Sequence, residues 1–191
     1  MKRKNALLSE FRAVLAAVAI LGLATVARAE TVDPIFTAFQ EVCMIPDAAP
    51  DAVTVAANTH DWTASSAAGQ ALPGFIVSNT VAKARKIGEA NLVLYSWKGA
   101  KGPVTASECR IQASRADFRA LQGAVAASLG FPGAQTTPTK VVFHYAGPGA
   151  APKAITDNSQ FDAAAGAGGL YILTLSSDGK GASADLLKLH N

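Results

Sequence analysis

The sequence predicts an α+β domain in which an antiparallel sheet of about five or six strands carries two or three helices packed on one face. Three observations lead there. Apolar residues recur at helical spacing in separate regions of the chain, β-branched and aromatic runs fill its middle and its end, and successive runs are joined by turns rather than by crossover helices. With 191 residues, 50% hydrophobic and 16% charged, the chain is long enough for one domain and too apolar to stay disordered.

The elements follow in order. Asp33 caps and Pro34 opens a first helix whose apolar side carries Ile35, Phe39, Val42 and Cys43. A second helix runs from Asp47 to about His60, with Pro50 tolerated in its first turn. Thr63 to Gly74 is rich in Ala, Ser and Gly and reads as a loop. Gly74 to Thr80 is a short strand. Asn91 to Trp97 alternates, placing Val93, Tyr95 and Trp97 on one face and Leu92 and Leu94 on the other. Lys98 to Pro103 turns the chain, and Val104 to Ile111 returns with Cys109 and Ile111 on one face. Ser114 to Asp117 resembles a capping box for a helix bearing Phe118, Leu121, Val125 and Leu129, which Gly130 stops. Thr139 to Ala146 is a strand, Ala163 to Gly169 a flexible small-residue stretch. Leu170 to Leu175 and Ala184 to Leu189 form a terminal hairpin around Asp178-Gly179. A helix followed by strands occurs twice, without a fixed repeat period.

Residues 1–29 have the composition of a cleaved Sec-type signal peptide. Lys2, Arg3, Lys4 and Arg12 precede an uncharged apolar stretch from Ala13 to Val26, and Ala27-Arg28-Ala29 supplies small residues at the cleavage positions. That apolar stretch spans only about 21 Å of a roughly 30 Å hydrocarbon layer, which argues against an anchor. The expected mature domain is 30–191, periplasmic or secreted, monomeric and without a membrane span. Removing the leader converts a formal +3 into −1, so nothing in the overall charge points to nucleic acid. In an oxidising compartment the two cysteines, Cys43 and Cys109, are expected to form one disulfide.

No hydrolase, zincin, nucleotide-binding or calcium-loop motif is present, and three histidines without ligand spacing make no metal site. No cofactor is expected. The charge is patterned instead: residues 30–82 carry six acids and no Lys or Arg, while residues 83–119 carry eight cations against three acids. Such blocks predict either internal complementarity or an anion site at the basic hairpin. The expected function is that of an exported binding or interaction module for an envelope partner or a small anionic ligand. Lys98, Lys101, Arg110 and Trp62 are its candidate contact residues, gathered in a pocket between the Trp62 loop and the hairpin. The alternative is a small hydrolase-like enzyme with a nonstandard site around His60/Asp61 or His144.

Overall fold

A computed structural model of the chain describes residues 33–67, 69–147 and 151–190. The predicted leader lies outside them. The helices are α1 (Pro34–Phe39, continued by a π-helical segment Gln40–Met44), α2 (Pro50–Thr59), α3 (Phe118–Leu129) and α4 (Asn158–Gly166). The strands are β1 (Thr63–Ala64), β2 (Ile76–Ile87), β3 (Ala90–Lys101), β4 (Val104–Ala113), β5 (Gln135–Thr137), β6 (Lys140–Ala146), β7 (Lys153–Ala154), β8 (Leu170–Ser177) and β9 (Ala182–His190). All pair antiparallel in one sheet of order β1-β2-β3-β4-β9-β8-β6-β5, with β7 added on β6.

The class is as predicted, but the described residues hold nine strands and four helices rather than the smaller numbers expected. Three of the extra strands are two or three residues long and follow no periodicity. The fourth helix occupies most of the stretch expected to be flexible. Asp157 caps it by accepting from the Gln160 N–H at 2.9 Å, and its alanines have the highest helix propensity of any residue. It also changes the layering. Leu92, Leu94, Cys109, Ile111, Ala184, Leu186, Leu173 and Phe143 face α1, α2 and α3 in the main core, whereas α4 packs on the opposite face against Leu170, Ile172 and Leu189.

Local chemistry explains where each helix begins and ends. Asp33 caps α1 by accepting from Ile35 and Phe36 N–H groups, each at 2.9 Å. The π segment then closes with Ile45 N–H donating to Gln40 O, and the inserted residue lets Val42, Cys43 and Met44 all be buried in succession. Helix α2 begins only at Pro50 because Asp47 and Ala48 sit at φ 60° and 55°, outside helical space. Asp117, rather than Ser114, caps α3; the Ser114 hydroxyl accepts instead from Asn91 N–H. Gly130 ends α3 at φ 79°, as predicted. Strand β2 runs seven residues past the expected end at Thr80; its Lys83, Arg85 and Lys86 are only partly buried or exposed, next to the two-residue edge strand β1, where charge is tolerated.

The two halves share one plan. Helix precedes three antiparallel strands in each, β2-β3-β4 and β6-β8-β9, and the last strand of each half pairs with the other. Cys43 and Cys109 form the expected disulfide, with Cα atoms 5.4 Å apart, and tie α1 to β4. No helix among the described residues is long and apolar enough to cross a membrane.

Candidate functional site

Alternation along β4 divides its side chains between two environments. Cys109, Ile111 and Ala113 enter the core, so Glu108, Arg110 and Gln112 project to the opposite sheet face. The register then sets Tyr95, Arg110, Asp185 and Thr174 side by side across β3, β4, β9 and β8, with Trp97 and Glu108 in the adjoining row. Helix α4 borders this strip on one side. On the other, Phe75 packs its ring 5.4 Å from Trp97, and Gly69 lies so close to the Tyr95 ring that a Cβ there would be 2.0 Å from its Cγ.

The polar groups of the strip are mutually engaged. Arg110 Nε donates to Asp185 Oδ2 at 2.9 Å, and its Nη2 reaches Glu108 Oε1 at 2.6 Å and Asp185 Oδ2 at 2.8 Å. Trp97 Nε1–H donates to Glu108 Oε2 at 3.0 Å. Glu108 is 1% exposed. Burial, reinforced by the Asp185 charge, pushes its carboxyl up to about 7 despite the opposing pull of Arg110 and the Trp97 N–H. Burial raises Asp185 as well, against the pull of Arg110.

These shifts fix a sign for the pH dependence of stability. Between about pH 4.5 and 7 the folded protein holds a proton on Glu108 that the unfolded chain has released. Unfolding free energy therefore falls as pH rises through that window, by up to about 1.4 kcal/mol per unit. Urea midpoints taken near pH 5 and pH 7.5 should show the wild type weaker at the higher value and Glu108→Gln much flatter. Parallel slopes for the two proteins would count against this assignment.

A second cluster lies on the helix-bearing face. Tyr145 and Tyr171 stack at 5.0 Å, Tyr171 OH donates to Asp47 Oδ1 at 2.7 Å, and Lys188 pairs with Asp47. Burial raises both phenols, Tyr171 further through its bond to Asp47. These contacts hold the left-handed Asp47-Ala48 turn in place. Ser107 Oγ and His190 Nε2 are hydrogen-bonded at 2.9 Å, but Ser107 is 1% exposed, so a substrate cannot reach its hydroxyl. Burial, Lys188 and Lys98 lower His190.

The residues singled out in the sequence do not converge. Trp62 is 4% exposed within the core beneath the helices, on the face opposite Arg110, so the pocket between the Trp62 loop and the hairpin does not form. Arg110 is already engaged by two carboxylates and offers no free fork to an anion. Lys98 and Lys101 extend from the exposed end of β3, and Lys101 Nζ donates to Pro73 O at 3.5 Å. His60 closes α2 and meets Glu41, Nδ1 to carboxylate 3.2 Å, while Asp61 is exposed in a left-handed turn at φ 58°. His144 stands edge-on to Phe161 at 5.5 Å beside a cavity of about 290 Å³. Of its polar lining, Asp157 and Thr156 are spent on helix capping, Asp157 on Gln160 and Ser159, Thr156 on Gln160. A wider cleft of about 680 Å³ lies where α1 and α3 begin, its Asp33 and Asp117 likewise serving as caps and its Arg115 paired with Glu89.

Among the described residues no ion pair joins the acidic and basic blocks; Asp47 goes to Lys188 and Arg115 to Glu89. A side-chain contact between the blocks runs through a neutral partner, with Lys83 donating to Asn58 Oδ1 at 2.7 Å, while Asn79 donates to Asp51 within the acidic block at 2.9 Å. What remains without internal partners is a surface. At the end of β2, β3 and β4 that carries the Gly102-Pro103 turn, Leu72, Ile76, Val77 and Val104 are all exposed beside Lys98 and Lys101.

Comparison with protein-family profiles, with curated proteins and with solved structures finds no match to this chain.

Proposed function

We propose that the chain is an exported, disulfide-fastened binding module that acts by contact with an envelope partner rather than by catalysis. One observation carries this reading: Ile76 is 82% exposed and gathers with three other exposed aliphatic side chains beside two lysines at one end of the sheet. A free surface of that kind is characteristic of interaction sites. The arrangement favours an extended surface over a small anion, because Arg110 is held by Glu108 and Asp185 and Trp62 is buried. The disulfide fits an oxidising compartment, and the leader-like composition of residues 1–29 fits export.

The reading makes a paired demand. Intact mass of protein recovered from the producing cells should show loss of residues 1–29 and of about two further hydrogens. The purified chain beginning at Glu30 should bind washed envelopes saturably, and a variant with Ile76→Ser and Val104→Ser should bind at least about tenfold less. An uncleaved leader would remove the export step. Equal envelope binding by the variant would remove the tip as the contact surface.

A further inference from the structure

We infer that the sheet end bearing Ile76 and Val104 seats on an anionic lipid surface; this deepens the preceding reading and rests on it. Four of the six exposed large apolar side chains among the described residues, Leu72, Ile76, Val77 and Val104, collect there. Their neighbourhood follows from register: Ile76 lies opposite Ala100, Val77 opposite Gly99, and Lys101 opposite Val104. The aliphatic groups thus stand at the ends of β2 and β4 and on the segment leading into β2, with Lys101 level with Val104 at the tip and Lys98 two residues behind Ile76.

Charge selects the occupant. Residues 62–88 and 90–107 contain no Asp or Glu, although the chain from Glu30 carries one more acid than it has Lys and Arg. Glu89 lies in the turn at the far end of β2 and β3, and Asp51 meets β2 at Asn79, towards α2. An apolar tip interleaved with lysines suits a bilayer surface, where aliphatic groups enter the acyl boundary and lysine side chains reach back to the anionic headgroups. A protein partner adding a strand would use the edge of β2 from Ile76 to Val81, which β1 leaves uncovered, since β1 pairs only at Lys83 and Ala84. That mode needs neither the lysines nor the projecting Val104.

Sedimentation with vesicles separates these cases. The chain beginning at Glu30 should pellet with vesicles containing phosphatidylglycerol and hardly at all with pure phosphatidylcholine, and the binding should weaken in high salt. Each lysine is worth about a fivefold change in partition, so Lys98→Glu with Lys101→Glu should lower it at least about 25-fold. Ile76→Ser with Val104→Ser should lower it about tenfold on the same vesicles. Both variants change exposed residues, and unchanged unfolding midpoints would confirm that they remain folded. Absence of wild-type binding to phosphatidylglycerol vesicles would overturn the lipid assignment, as would serine variants that bind like wild type. Binding to washed envelopes without binding to these vesicles would leave the contact surface standing and name a protein as its partner.

Discussion

Removing the Cys43–Cys109 disulfide is expected to lower the unfolding free energy by roughly 4 kcal/mol, the chain-entropy value for a closed loop of 66 residues. That is a large share of the roughly 5–15 kcal/mol available to a domain. The loss matters more here because 40 of the 191 residues are alanine, which bury little apolar surface. Helix α1 is also short, six residues before its π segment, and depends on tertiary attachment for its order. The double variant Cys43→Ala/Cys109→Ala and the reduced wild type should therefore unfold at similar, much lower denaturant concentrations than the oxidised protein. If full reduction, verified by mass, left the midpoint where it was, the disulfide would not be what holds α1 on β4.

The second large effect belongs to Arg110. Its replacement by alanine leaves Glu108 buried and Asp185 partly buried, side by side without their shared cation, and an uncompensated buried charge costs about 3–5 kcal/mol. Protonation offers an escape, so the loss should be greatest above pH 7 and shrink on acidification, where Glu108 is neutral. Removing the group as a whole should be far milder. A variant with Arg110→Met, Glu108→Leu and Asp185→Ala eliminates the charges together and is expected to recover most of the stability. Denaturation of the two variants at two pH values measures both claims. Equal losses in both would mean that packing of the Arg110 stem, rather than charge compensation, sets the cost.

Much of this fold is written in local chemistry. Asp33-Pro34 and Gly130 mark helix ends because capping and left-handed glycine depend on adjacent residues alone. Strands β3 and β4 show alternation because one face is core, and the disulfide followed from two cysteines and a leader-like N-terminus. What was illegible depends on distant partners. Glu108-x-Arg110 on one strand face is visible in the sequence, but Asp185 is 75 residues from Arg110 and joins it only through the β4–β9 pairing. Trp62 resembled a binding aromatic because burial by α1 and α2 has no local signature. Helix α4 was hidden by its composition: alanine and glycine suggest a linker unless Asp157 and Gln160 are read together as a cap.

The strand order has a further consequence for how the molecule closes. Strands β2, β3 and β4 are consecutive and pair through tight turns, whereas β9 follows all the others in sequence yet lies at the centre, between β4 and β8. Before β9 arrives, β4 and β8 both present unpaired edges of hydrophobic strands. Joining the two flanks into one sheet therefore depends on the last strand of the chain. A chain shortened before Ala182 would lose the seam between the halves, leaving β4 and β8 with open edges prone to pair with other copies.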